Sequence, residues 1–408
     1  MSAPPQPADQ HWQKNLFAVT AASFMGYTGF TLVMPFLPLF IAQLGVSDVA
    51  AVALWTGFSL GVTPALTAVL SPLWGRLADR FGRKIMVERS LASFALLMAA
   101  MAFATRAWHV LALRIVQGLF AGYGSLSLTM AAESAPRERM PQSIGLVQTA
   151  QRLGPAVGPV IGGVFAGLVG LRGAFLVTGA FYAVGLVLVF AMYEEPALHV
   201  ESSESSERGR VTFRNVLAFQ NFILLMAVIF GFQFVDRSFG PILPLYIEHV
   251  GVSSARVPLV AGVLFSIMAC AGALGHHFCG RMLKHVSLRV VIAGGAAVAG
   301  LGSGLLGATG NLWVMALASA VLGVGVGAAM TASYTAAGSV IPSGAHGTGF
   351  GVITSASLTG MAISPMVAGF LGATGMRVVF AVDVAVMAVL AASVWRLMLE
   401  NGDAAVQA

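Results

Sequence analysis

Charge is scarce in this sequence. Only 9% of its 408 residues are Asp, Glu, Lys or Arg, where a soluble chain carries about a quarter. That deficit excludes an ordinary water-soluble domain of this length. With 57% hydrophobic residues and a mean hydropathy of +0.85, the solvent is a lipid bilayer, in which a charge costs several kcal/mol. Cysteine is nearly absent. Cys270 and Cys279 fall on one predicted helix, on opposite faces about 13 Å apart along its axis, which excludes a disulfide between them. No H-x-x-x-H or C-x-x-C spacing occurs, and the adjacent His276 and His277 diverge around a helix. No metal and no cofactor is expected. Nor is an enzyme, since the apolar runs hold no H-E-x-x-H or Ser/His constellation. Residues 1–14 are polar and the apolar run behind them is too long for a signal core, so no cleavable signal is expected. The net charge of +6 is modest, and no nucleic-acid partner is expected.

What the sequence does have is apolar length. Runs of about 20 apolar residues, each enough to cross a bilayer, number twelve: 15–41, 50–73, 85–105, 107–130, 143–169, 173–193, 217–247, 257–279, 288–308, 311–333, 347–372 and 376–398. With the N-terminus placed in the cytoplasm, fifteen Lys and Arg fall in inner loops and tails and four in outer loops. That is a strong positive-inside bias. Forty-eight glycines suit helices that pack through small residues.

Residues 194–214 are polar, rich in Ser and Glu, and lack helical periodicity, which reads as a cytoplasmic linker. An internal repeat divides the chain at the same place. PLFIAQLGVS at 38–47 matches PLYIEHVGVS at 244–253, MPFLP at 34–38 matches GPILP at 240–244, and GRLADRFGRK at 75–84 has a degraded echo, GRMLKHVSLR, at 280–289. The expected fold is an all-α integral membrane protein, with twelve transmembrane helices in two six-helix bundles at 1–193 and 215–408. Parallel halves of this kind place a substrate site at their interface near mid-membrane.

The densest charge lies at 75–84, five charged residues in ten. It reads as a loop held outside the bilayer and reversed tightly at its glycines. The pattern G-x-L-A-D-R-x-G-R-K closely resembles the loop signature of the major facilitator superfamily between its second and third spans. That resemblance implies a gating loop with Gly75, Asp79, Arg80, Gly82, Arg83 and Lys84 as its working residues. Asp79 can face the positive end of a helix, and the start of span eleven near His346 is a candidate. Arg80, Arg83 and Lys84 can bridge to acids on other helices. A purely topological role for the arginines is the alternative.

Two further segments resemble motifs of the superfamily. LALRIVQGLFAG at 111–122 resembles the fourth-span pattern R-x-x-Q-G of drug:proton antiporters. Arg114 in a span is expected to face a wet cavity or an acid, with Gln117 on the same helical face; snorkelling outward is the alternative. RLGPAVGPVIGG at 152–163 resembles the exporters' G-x-x-x-G-P-x-x-G-G. Gly154, Gly158 and Gly162 form one smooth strip for close helix contact, Gly163 ends the motif, and Pro155 and Pro159 remove backbone donors and kink the helix. For Arg152 two readings stand: lining the cavity, or snorkelling.

Two acids lie well inside spans, Asp236 and Asp383. Proton coupling needs a group that changes charge during the cycle, and a carboxyl in a span is the usual choice. Asp236 leads. Its neighbour Arg237 points about 100° away around the helix and is expected to be a poor direct partner, while Arg114 lies at similar depth. Asp383 is second, with Arg377 as its candidate partner. Tyr27, Phe30, Phe230, Gln233 and Phe234 sit on spans one and seven and, with Arg114, Gln117, Arg152 and Arg237, are candidates for lining a cavity.

Across nearly the whole length the chain resembles the twelve-span drug:proton antiporters, and its first and seventh spans look like those of MdtG-type multidrug exporters. The resemblance implies rocker-switch export of small amphiphilic molecules, driven by a proton gradient. It also implies a multi-pass protein of the bacterial inner (plasma) membrane with both termini cytoplasmic, working as a monomer. Export or symport of a sugar, siderophore or other metabolite is the alternative.

Overall fold

In hydrocarbon a backbone must satisfy its own N–H and C=O groups, and a single segment does so only as a helix. The computed structural model describes residues 8–136, 138–195, 219, 221–341 and 346–399, and no strand occurs among them. Thirteen helices do: α1 (Ala8–Leu32), α2 (Leu37–Gln43), α3 (Val49–Phe81), α4 (Arg83–Ala102), α5 (Ala107–Leu119), α6 (Tyr123–Ser134), α7 (Met140–Met192), α8 (Phe222–His249), α9 (Val257–Met282), α10 (Leu288–Ala308), α11 (Leu312–Val340), α12 (His346–Thr374) and α13 (Met376–Leu397). Nine of them are long and apolar enough to cross a bilayer, and α1 with α2, bent by 50°, makes a tenth. This is an all-α, multi-span membrane protein.

The twelve apolar runs map onto these helices with two corrections. The runs 143–169 and 173–193 are the two parts of α7, which breaks between them at Gly170, whose φ of 75° and ψ of 170° are not helical. The run 107–130 is not one helix. It breaks into α5 and α6, of 13 and 12 residues, with Gly122 at φ 135° between them. The Phe120 carbonyl freed at that break lies 2.8 Å from Ser90 Oγ and accepts from Arg89 Nη2 at 3.1 Å. Second, 75–84 is mostly not a loop. Leu, Ala and Arg are good helix formers, and α3 continues through Phe81, leaving the turn to Gly82 at φ 94°. Gly75 lies inside the helix with open space beside it.

The described chain forms two compact units. The first comprises Met1–Ser47, Val62–His199 and Gly251–Ser266; the second comprises Asp48–Gly61, Val200–Val250 and Ile267–Ala408. Glycines explain the exchanged segments, because a helix can approach another closely only where side chains are absent. In the second unit Gly57 abuts the Pro365 carbonyl and Gly369, and Gly61 abuts Ala362. In the first unit Gly163 abuts Pro258 and Leu259, and Gly262 abuts Pro159. Most of the 194–214 segment lies outside the described residues.

The internal repeat is realised in hydrogen bonds at an offset of 205 or 206 residues. Gly45 and Gly251 close α2 and α8 at φ 93° and 101°, a backbone that glycine adopts without penalty. In the first unit Asn15 Nδ2 donates to the Glu194 carbonyl at 2.7 Å, and Glu194 N–H donates to Asn15 Oδ1 at 2.9 Å. In the second, Asn221 Nδ2 donates to the Leu399 carbonyl at 2.8 Å, and Leu399 N–H donates to Asn221 Oδ1 at 3.1 Å. Lys84 Nζ donates to the Tyr193 carbonyl at 2.6 Å, and Arg289 Nε to the Met398 carbonyl at 2.9 Å. Each sixth span thus leaves its last carbonyls to a cation and an amide from earlier helices, which satisfies groups that a helix end otherwise leaves open.

Candidate functional site

The first unit holds the charged segment and the buried arginine. At the end of α3, Asp79 Oδ1 lies 3.3 Å from Arg83 Nη2, one turn on. Arg83 Nη1 also pairs with Glu133 of α6. Bridging of this loop to an acid on another helix is therefore met by Arg83. Arg80 instead stacks over Phe81, 5.3 Å from the ring centroid. Lys84 faces the carbonyls of Phe190 and Tyr193 and lies 3.9 Å from Glu88 on its own helix. The side chains at the start of α12, where a partner for Asp79 was sought, lie outside the described residues. Ser134 Oγ lies 3.4 Å from the Tyr193 hydroxyl.

Arg114 is 2% exposed and Gln117 fully buried. No acid among the described residues pairs with the guanidinium, and at this burial it does not snorkel. Its Nη1 donates to Gln117 Oε1 at 3.1 Å, as their shared face requires. Arg114 Nε and Nη2, Gln117 Nε2 and the Tyr182 hydroxyl find no hydrogen-bond partner among the described residues. The backbone beneath is tied down by Thr63 Oγ1, which donates to the Arg114 carbonyl at 2.9 Å. Tyr27 reaches across to Gly124 and meets the Tyr123 ring at a 5.7 Å centroid distance. Arg152 is exposed.

The glycine strip of α7 has a definite seat. A Cβ at Gly154 would stand 2.7 Å from Thr28 N, one at Gly158 would press on Thr31 and lie 2.7 Å from the Thr28 carbonyl, and one at Gly162 would press on the Leu32 carbonyl. The strip packs backbone to backbone on α1. Gly163 lies on the next face, against Pro258, and Pro155 and Pro159 lie inside the part of α7 that precedes Gly170.

The second unit holds both acids. Asp236 lies near the middle of α8, about 20 Å from either end at 1.5 Å per residue. Its side chain is 31% exposed, and its Oδ2 is 3.2 Å from Arg237 Nε. The adjacent arginine is thus a direct ion-pair partner, contrary to the helical-wheel reading. The long side chain bends back, although its N–H does not line up as a hydrogen bond. Gln233, one turn earlier, donates to Ser357 Oγ of α12 at 2.9 Å, and Phe230 stacks on Phe234 at 6.1 Å. Asp383 is fully buried. Its partner is Ser238 rather than Arg377, with Oγ to Oδ2 at 2.7 Å, while Oδ1 has no described partner. Ser238 Oγ is also 2.9 Å from the Val235 carbonyl. A hydroxyl carries one proton, so when Ser238 donates to Val235 the second bond needs a proton on Asp383.

Sequence reasoning missed Asn15, Asn221, Glu133 and Glu195. The pairs KNLF at 14–17 and QNFI at 220–223 repeat at the same offset as the longer segments, and that was the available signal for the two asparagines. Among the described residues no group of three His, Cys, Asp or Glu could hold a metal ion.

The chain matches the family described as Major Facilitator Superfamily over residues 19–357 and 257–407. It is 33% identical over 289 residues to a multi-drug resistance efflux pump PmrA homolog of Lactococcus lactis subsp. lactis (strain IL1403), covering 70% of each chain. It is 29% identical over 333 residues to the multidrug resistance protein MdtG of Salmonella paratyphi C (strain RKS4594), covering 81% of this chain and 82% of that one. In fold it is similar to a bacterial homolog of the human lysosomal transporter Spinster, with a TM-score of 0.78 at 16% identity over 96% of this chain and 97% of that one. It is likewise similar to a D-xylose-proton symporter, with a TM-score of 0.76 at 14% identity over 96% and 98%.

Proposed function

The chain belongs to the Major Facilitator Superfamily, and from that premise we propose that it exports small amphiphilic molecules, drugs among them, in exchange for protons. It works as a multi-pass protein of the bacterial inner membrane with both termini and the 194–214 segment cytoplasmic. It needs neither cofactor nor catalytic step, and a single chain suffices. Relatives at 29–33% identity that are named for multidrug efflux or resistance support the drug class. The sugar-symporter likeness is one of fold alone.

One observation carries the coupling. Asp236 sits at mid-depth, partly exposed, with a cation 3.2 Å away. An acid must be reachable to take up a proton, and its protonation must change a force on the protein. Asp236 fits both conditions: it is partly exposed, and a proton on it would remove its attraction for Arg237, where a few kcal/mol is enough to invert a two-state population. Asp383 changes a bond to Ser238 when it titrates but is closed to solvent. Tyr27 and Gln233, both partly exposed, supply polar groups toward substrate, Arg114 and Gln117 stand behind them as a buried pair, and the segment around Asp79 and Arg83 gates one side.

Transport into inverted vesicles tests this. An imposed pH gradient is expected to drive uptake of cationic or neutral amphiphiles from a broad panel, and collapsing the gradient to stop it. Uptake that ignores the gradient rules out proton exchange. A reporter fused at Ser205 is expected to be active only if its enzyme works in the cytoplasm; activity of a periplasm-only enzyme there overturns the orientation.

A further inference from the structure

We infer that Glu195 is a positioning residue for the 75–84 segment, supplying from the chain that leaves the sixth span the helix cap that Gly82 cannot. A helix opens with backbone N–H groups that lack partners, and a side chain at the preceding position usually accepts from one of them. α4 opens after Gly82, which has no side chain and makes no such bond. Instead the Arg83 N–H donates to Glu195 Oε1 at 2.6 Å, across 112 residues. The carboxylate also lies where a side chain at position 82 would go: Glu195 Oε2 is 2.7 Å from the place of a Gly82 Cβ. Gly82 is therefore small for two reasons, its φ of 94° and the carboxylate beside it.

The second copy of the repeat solves the same problem differently. Its counterpart of Gly82 is Ser287, which caps α10 by itself, accepting from the Val290 N–H at 3.5 Å. In the first copy the cap is detached from the turn and placed on the segment that leaves the sixth span. That segment is held in place. Asn15 brackets Glu194, Lys84 holds the Tyr193 carbonyl, and Lys14 Nζ is 3.2 Å from Glu194 Oε1.

The consequence is directional. Arg83, whose N–H is fixed by Glu195, is the residue whose guanidinium meets Asp79 and Glu133. Fixing the first residue of α4 fixes the origin of that side chain. The negative charge also complements the positive end of α4. Glu195 is exposed, so its role does not come from burial.

This inference rests on the exporter reading only for its transport readout. Four full-length proteins are compared: the parent, Glu195→Ala, Gly82→Ser and the double variant. In detergent, Glu195→Ala is expected to speed hydrogen exchange of the amides at 83–86 about fivefold, the scale of a lost cap, and Glu195→Gln to restore much of the protection. In proteoliposomes, Glu195→Ala is expected to lower turnover several-fold, with the half-saturating substrate concentration and melting temperature unchanged. Gly82→Ser alone is expected to fail because the serine meets the carboxylate. The double variant takes the carboxylate out of the serine's way but keeps the φ of 94° where Ser287 has −68°, and it is expected to transport better than the product of the two single effects. Unchanged exchange in Glu195→Ala overturns the inference. So do single effects that merely multiply, or turnover that falls only in step with melting temperature. If the parent moves no compound, the exporter reading fails, while hydrogen exchange still decides this one.

Discussion

Asn15 and Glu194, 179 residues apart, exchange two hydrogen bonds, at 2.7 and 2.9 Å, between one amide side chain and one backbone unit. Asn15 is 5% exposed, so water is poorly placed to substitute. Asn15→Ala is expected to cost about 1–2 kcal/mol, since two part-buried backbone groups lose their partner. A lowered melting temperature of the purified protein checks this. Asn221 makes the same pair at a more exposed place but at φ 60°. Asn221→Gly is therefore expected to cost less than Asn221→Ala, because glycine accepts that backbone. Equal losses would refute the backbone argument.

Asp79→Asn removes the charge facing Arg83 with little change in size. Asp79 is mostly exposed, so stability and membrane abundance are expected to hold, as exposed pairs contribute about 0–1 kcal/mol. Transport is expected to fall sharply, because Arg83 is then left to Glu133 alone. Parent-level transport at equal abundance would leave the segment a topological role only.

Gly158→Leu puts a side chain between α7 and α1, where the Thr28 carbonyl and Thr31 are already in contact. Overpacking of this kind costs about 1–3 kcal/mol or more, and here rigid backbone is the neighbour. Both the amount of folded protein and transport are expected to drop. Gly167→Leu, with open space beside it, is the control and is expected to change neither. Immunoblots of membranes alongside vesicle uptake distinguish the two variants.

Asp236→Asn is expected to abolish pH-driven uphill export and to spare downhill exchange at equal folded protein. Asp383→Asn is expected to keep both, because an amide can donate to Ser238 as a protonated carboxyl does. The opposite pattern, coupling lost in Asp383→Asn and kept in Asp236→Asn, would move the proton site to α13.

Hydropathy and Lys/Arg placement alone determined the class. Twelve apolar runs in a chain with so little charge have one solution in lipid, and the repeat at 38–47 and 244–253 was legible because its Gly45 and Gly251 must adopt a backbone that other residues resist. The glycine strip of α7 was equally legible, since its spacing of four is a local helical property. Partners were not. Arg237 bends back to Asp236 through free side-chain torsions that a helical wheel ignores. Asp383 meets Ser238 and Arg83 meets Glu195 because the tertiary fold brings them together, over separations of 145 and 112 residues. Periodicity reports which face a residue occupies. Only tertiary packing decides what stands opposite it, because that depends on the summed geometry of every helix between the two.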